Sequence, residues 1–150
     1  MIRKAAMEDA QTVKAITHDT ISEIYPHYYP EGAVRFFLEH HSDEHIMNDI
    51  SDGIVYLCED EGNITGTVTL RQNEICRLFV LPSFQGHGYG RELLDFAETE
   101  ISGSFDEIVI DASLSAKSIY LKRGYHETGY HVIDTNGGDH LCYDVMKKES

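Results

Sequence analysis

A strand that runs into alternate glycines and then straight into a helix constrains this chain more than any other stretch. The segment is Leu78-Phe79-Val80-Leu81-Pro82-Ser83-Phe84-Gln85-Gly86-His87-Gly88-Tyr89-Gly90-Arg91. Glycine lets the backbone approach a ligand closely and turn successive N–H groups into one concavity. The helix start adds unpaired donors and the positive end of its dipole, so an anion such as a diphosphate belongs there. A Walker loop would need Gly-Lys-Ser/Thr, but Gly90 is followed by Arg91-Glu92. A dinucleotide fingerprint would need Gly-x-Gly-x-x-Gly, whereas Gly86, Gly88 and Gly90 give Gly-x-Gly-x-Gly. Asp111 stands where a ribose-binding acid would, yet one strand–helix–strand unit leaves no sheet for a Rossmann fold.

Composition removes further classes. The 150 residues carry 26 acids against 12 bases, a net −14 with His neutral, which argues against a nucleic-acid partner held through phosphates. The charge reads either as solubility, since most acids lie on solvated faces, or as a short-range field favouring cationic small molecules. No apolar run approaches membrane-span length, and Met1 to Glu8 carries basic residues without the apolar stretch of a secretory signal. Cys58, Cys76 and Cys142 are few, odd in number and far apart, which fits reduced thiols and a cytoplasmic location.

The order of elements reads as α+β over residues 1–150, without a linker or repeat. Ile2 to Ala5 is a short strand. Val13, Ile16, Thr20 and Ile24 place an amphipathic helix over about Glu8 to Ile24. Tyr25-Pro26-His27-Tyr28-Tyr29-Pro30 breaks it, and Pro30 opens a second helix with Val34, Phe37, Leu38 and His41 inward. Ser42 caps a third piece through Ile50. The period then shortens: Ile54–Cys58, Ile64–Leu70 and Glu74–Leu81 form an antiparallel meander. A helix over about Gly88 to Ile101 follows, then the buried strand Glu107 to Asp111, and a helix capped by Ser115 that ends at Gly124. Two last strands, Tyr125–Ile133 and His140–Met146, meet across Asn136-Gly137-Gly138.

Gln85-x-x-Gly88-x-Gly90 after a strand ending Val80-Leu81-Pro82 resembles the acetyl-CoA loop of the GNAT N-acetyltransferases. Gly66 lies in the second meander strand, where that family often has glycine. Ala116-x-x-x-Tyr120-x-x-x-Gly124-Tyr125 is similar to the family's Ala-x-x-x-Tyr-x-x-x-Gly-Phe signature. One position departs: Ser113 stands where many members carry an asparagine that binds pantetheine. The resemblance covers nearly the whole chain and is carried between Glu74 and Tyr125. It implies a mixed, mostly antiparallel central sheet flanked by helices, with two central strands splayed into an acyl-CoA cleft.

It further implies acetyl-CoA as cosubstrate and an amine of a small molecule or peptide as acceptor. Pantetheine would pair with the exposed edge of Leu78, Phe79 and Val80. The diphosphate would rest on N–H groups from Gly86 to Arg91, and the cofactor set includes Gln85, Gly86, His87, Gly88, Tyr89, Gly90, Arg91, Ser113 and Ser118. The Val80 N–H takes the oxyanion role and Tyr120 the general-acid role. Glu74, expected on one alternating face with Cys76, Leu78 and Val80, is the first candidate base and Asp111 the second. Tyr25, His27, Tyr28 and Tyr29 fall where such proteins place an acceptor-binding loop; the other reading of these residues is a loop anchored on the core by its tyrosines. A homodimer through C-terminal strands or strand edges is an expectation at family level. Two other classes stand beside the enzyme: a module that holds CoA without turnover, and a metal protein using His41 and His45. The second lacks a third ligand in the sequence, so no metal is assigned.

Overall fold

The computed structural model describes residues 1–135 and 137–149. Asn136, the first residue of the expected hairpin turn, lies outside the described residues. The chain opens with β1 (Ile2–Lys4), a 3-10 turn, and α1 (Ala10–Ile24), whose Val13, Ile16, Thr17, Thr20 and Ile21 are buried at helical spacing. After the tyrosine-rich break come α2 (Glu31–His40) and α3 (Asp43–Ser51). Ser42 caps α3 as its sequence predicts, its hydroxyl accepting the His45 N–H at 3.4 Å. The helix α2 stops at His40, so His41 caps it instead of joining its inner stripe. The tightest packing on α2 comes from Gly32 and Ala33. Asp139, from the last hairpin, accepts the Gly32 N–H (2.7 Å) and places a carboxylate on the positive end of that helix.

The meander is β2 (Val55–Asp60), β3 (Asn63–Arg71) and β4 (Glu74–Val80). Then come α4 (Tyr89–Ser102), β5 (Glu107–Ala112), α5 (Lys117–Lys122), β6 (His126–Asp134) and β7 (His140–Glu149). They form one seven-stranded sheet in the order β1-β2-β3-β4-β5-β7-β6. All neighbours are antiparallel except β4 and β5, so the sheet is mixed and mostly antiparallel as expected. Ser115 does not cap α5: Ala116 holds that position, and the Ser115 hydroxyl lies 3.0 Å from that of Ser113.

Each face of the sheet is covered by helix. On one, Leu93, Leu94, Ala97 and Ile101 of α4 pack on Val68, Ile75, Ile108 and Ile110. On the other, Ile16, Ile21 and Ala33 meet Tyr25, Tyr29, Phe79 and Leu141. Gly66 is where the two central strands and α4 crowd together. A Cβ there would stand 2.8 Å from the Phe79 carbonyl oxygen and 2.9 Å from Leu93 Cδ1, so no larger residue fits without movement. Among the described residues no helix is long and apolar enough to cross a membrane.

β4 departs from the expected alternation. Arg71, Thr69 and Thr67 pair with Glu74, Cys76 and Phe79, so the stretch between Cys76 and Phe79 holds one residue more than its partner strand. That extra residue makes a bulge, with Arg77 in a left-handed conformation (φ 43°). The alternation therefore inverts: Glu74 and Cys76 share a face with Phe79, while Leu78 and Val80 lie with Ile75 on the α4 side. Glu74 and Val80 are on opposite faces, which corrects the sequence reading.

Candidate active site

The strands β4 and β5 pair only at Glu74–Val109 and Ile75–Ile110, and beyond these two positions they separate. The gap opens into a cleft of ≈ 940 Å³. Its walls include residues of β4, the glycine loop, the start of α4, the end of β5, α5, and the turn after α1.

One end is built from main chain. Gly86 and Gly88 sit at φ 82° and 90°, a region costly for other residues, and Gly88 is the N-cap of α4 without any side-chain cap. The Gly88 carbonyl takes the N–H of Glu92 at 3.0 Å. The N–H groups of Tyr89, Gly90 and Arg91 precede that first intrahelical bond and face out of the helix end, the arrangement that binds anions. Gln85, Gly86, Tyr89, Gly90 and Arg91 line the cleft, whereas His87, Gly88 and Ser118 do not. Two of these side chains are engaged elsewhere: the Tyr89 hydroxyl donates to Asp60 (2.6 Å) and His87 Nδ1 donates to the Phe84 carbonyl (3.1 Å). Lys122 of α5, which sequence reasoning missed, adds an exposed cation to the lining.

The middle of the cleft runs along β4. The N–H of Leu81 bonds the Thr65 carbonyl at 2.9 Å, which makes Gly66–Val80 a pair without mutual hydrogen bonds. The N–H and C=O of Val80 thus turn away from β3, toward the open side. The carbonyl is taken by Gln85 Nε2 (3.0 Å) and approached by Thr20 Oγ1 (3.4 Å). Tyr120 projects from α5 into the same space, buried to 6% exposure and packed edge-on to Tyr125 at 5.8 Å. Burial, with Tyr25 nearby, pushes its phenol well above the ordinary tyrosine value, so the hydroxyl keeps its proton. Ser113 also lines the cleft, but its hydroxyl is shared with Ser115 and with the Tyr25 phenol.

The other end is built from side chains. Glu74 and Asp111, expected separately as candidate bases, come together across the foot of the gap. Partial burial raises both carboxyls, and each influence has its own partner: Asp111 raises Glu74 further, whereas His131 and His40 oppose the rise at Asp111. Tyr143 of β7 faces both acids, which add to the effect of burial in raising its phenol. Of the four residues in the expected acceptor loop, only Tyr25 lines the cleft. His27 and Tyr28 are exposed. Tyr29 is buried and spent on structure, its hydroxyl accepting the Leu114 N–H (2.7 Å) and donating to the Cys142 carbonyl (3.3 Å).

The histidine group near α3 is likewise engaged. His41 Nδ1 accepts from Arg77 Nε (3.2 Å), and burial beside that guanidinium lowers the imidazole to about 3. His45 Nδ1 bonds the His40 carbonyl at 2.8 Å. Among the described residues no group of three His, Cys, Asp or Glu side chains is arranged to hold a metal.

Comparisons with known proteins bear on the whole chain. A family model described as "Acetyltransferase (GNAT) domain" matches residues 24–148. No curated protein matches the chain. A solved GCN5-related N-acetyltransferase from Rhodopseudomonas palustris, also described as a class-II aminotransferase, superposes with a TM-score of 0.91. It is 23% identical, over 100% of this chain and 95% of that one. The PaiA N-acetyltransferase of Thermoplasma acidophilum, solved with coenzyme A, gives 0.74 at 23% identity, over 100% and 98%. YncA of Salmonella typhimurium, a putative acetyltransferase solved with acetyl-CoA, gives 0.74 at 17%, over 99% and 92%. At such identities these structures establish the fold.

Proposed function

The chain belongs to the GNAT acetyltransferase family, and on that premise we propose that residues 1–150 act as one domain that transfers an acetyl group from acetyl-CoA to an amine of a small molecule or peptide. The observation that carries this reading is the gap beside β4, with outward-facing amides at the start of α4 and Tyr120 lining the same cleft. The residues fit the cofactor: the α4 amides suit a diphosphate, Arg91 and Lys122 add positive charge, and the open edge of β4 suits an extended amide chain. Bound there, acetyl-CoA supplies a thioester carbonyl for attack, and the products are the acetylated amine and the free thiol.

The protein's part is proton traffic and charge stabilisation. Glu74, helped by Asp111, takes a proton from the acceptor's ammonium so that the nitrogen lone pair is free. Their raised carboxyls bring them nearer the range useful for a base. The Val80 N–H donates to the oxygen that gains charge as the new C–N bond forms. Tyr120 gives its proton to the leaving sulfur as the C–S bond breaks; the nitrogen sheds its extra proton to solvent as the amide forms, and the phenolate takes one back from solvent. Burial keeps the phenol protonated at rest, so it is no resting base; the shift alone makes it a weaker acid, and the same burial raises the proton affinity of the thiolate it serves.

The test has two parts. CoA at millimolar concentration raises the melting temperature of the protein, and a panel of amines gives steady, amine-dependent thiol release from acetyl-CoA. No stabilisation by CoA or acetyl-CoA overturns the reading. Stabilisation with no release across the panel makes the chain a module that holds CoA without turnover.

A further inference from the structure

We propose that Arg77, held by Asp49 and His41, is a positioning residue for the transfer: the three fix the β4 bulge that turns the Val80 N–H into the cleft. The inference rests on the acetyl-transfer reading for its kinetic arm only.

The conformation of Arg77 is the first observation. Its φ of 43° lies in the left-handed region, which is costly for a non-glycine residue. Such a residue persists where its surroundings over-determine it. Here they do. The guanidinium is 5% exposed and reaches Asp49 Oδ2 at 3.0 Å, Thr69 Oγ1 at 3.1 Å and His41 Nδ1 at 3.2 Å. Asp49 in turn binds Arg71 at 2.7 Å, so one carboxylate on α3 grips both strands of the β3–β4 hairpin. The His41 carbonyl accepts from His18 Nε2 of α1 at 2.7 Å, which fixes the third partner.

The second observation is what the bulge does to the ladder. With it, Thr67 pairs with Phe79 and Gly66 with Val80, so Phe79 bonds to β3 and Val80 faces the gap. Continue the register Thr69–Cys76 without an extra residue, and Thr65 pairs with Val80. The alternation of bonded and unbonded pairs then gives the Val80 N–H to β3 and leaves Phe79 facing out. One residue's conformation thus selects which amide is offered to the cleft. A buried ion pair is weak evidence of added stability, and this one acts on the strand's register. His41 remains neutral at working pH because burial, Arg77, His40, His18 and His45 all disfavour its charge, so the acceptor of Arg77 Nε is not lost by mild acid.

The test compares Arg77→Ala with Arg77→Gly. Both lose the guanidinium, and Asp49 keeps Arg71 in both. Glycine adopts a positive φ without strain, so it preserves the bulge where alanine does not. Arg77→Ala should lower kcat at least about tenfold, toward the loss of an oxyanion donor. Its acetyl-CoA affinity should move by less than about threefold, and Arg77→Gly should recover most of kcat. A merely structural ion pair predicts the opposite order, because glycine is the poorer residue in a strand. Amide hydrogen exchange supplies an arm that needs no turnover. In the wild type and Arg77→Gly, Val80 exchanges fast and Phe79 slowly; in Arg77→Ala the contrast is lost. Arg77→Gly no better than Arg77→Ala, or a wild-type exchange pattern in Arg77→Ala, overturns the proposal. If neither Arg77 variant folds, His41→Ala keeps the Asp49 and Thr69 contacts and should lower kcat a few-fold with acceptor KM unchanged. Unchanged kcat there, or a rise in acceptor KM alone, overturns it too. A wild type that turns over nothing while showing the exchange contrast removes the acetyl-transfer reading and leaves the register device standing.

Discussion

The two ends of the cleft are made of different material. At the α4 end the binding groups are chiefly main-chain amides, set by glycines in left-handed conformations and by a helix start, with Arg91 and Lys122 beside them. At the other end they are side chains gathered from distant stretches: Tyr25 after α1, His40 at the end of α2, Glu74 on β4, Asp111 on β5 and Tyr143 on β7. Backbone donors keep their geometry whatever the neighbouring side chains are, so they suit an invariant ligand group such as a diphosphate. Side chains drawn from five elements can change one at a time, so they suit the choice of acceptor. In the proposed enzyme, cofactor affinity and acceptor specificity are therefore separable by mutation.

The largest expected effect falls where the two ends meet. Tyr120→Phe removes the proton for the leaving thiolate and should lower turnover by about a hundredfold or more, with the melting-temperature shift caused by CoA intact. Equal turnover would take Tyr120 out of the mechanism. Next comes Gly88→Val, which forces a β-branched residue to φ 90°. The strain of about 1–2 kcal/mol should weaken CoA binding about tenfold, read by titration, and leave acceptor KM unchanged. A matching shift in acceptor KM would break the separation of the two ends.

A smaller effect concerns pH. The base must be ionised, so kcat/KM should rise with pH through a value above the ordinary carboxylate range. Asp111→Asn removes the neighbour that helps raise Glu74, and the rising limb should move to lower pH, by up to about one unit. A limb that stays in place would uncouple the two acids. The smallest effect is on stability. A carboxyl raised in the folded state stabilises the fold below its unfolded value, and this contribution is lost as pH rises through the folded one. Glu74→Gln should therefore melt slightly higher than the wild type at pH 7 and indistinguishably at pH 4. The difference stays below about 1 kcal/mol because the group is partly solvated.

The same division explains what the sequence made legible. Gly86, Gly88 and Gly90 announce the main-chain end because a backbone device leaves its mark in consecutive residues, and the period changes locate most strands and helices within one or two positions. Gly66 matched the family's glycine in the sequence, and only the structure shows that nothing larger fits there. The side-chain end left no such local mark. Glu74 and Asp111 are far apart in the chain, and only the parallel pairing of β4 with β5 unites them. Tyr29 could be read as a site residue or as an anchor and is an anchor; the sequence could not decide, because aromatic residues serve both ends equally well and the hydrogen bonds to Leu114 and Cys142 are long-range. The bulge at Arg77 was invisible because arginine carries no preference for a left-handed backbone; its conformation comes from Asp49 and His41. That single hidden residue is enough to put Glu74 and Val80 on opposite faces.

Crystals soaked with coenzyme A test the central claim most directly. The account predicts the diphosphate on the amides between Gly86 and Arg91, the pantetheine arm along the open edge of β4 by Val80, and the sulfur within hydrogen-bonding reach of the Tyr120 hydroxyl. A diphosphate bound elsewhere, or a sulfur out of reach of that hydroxyl, would contradict it.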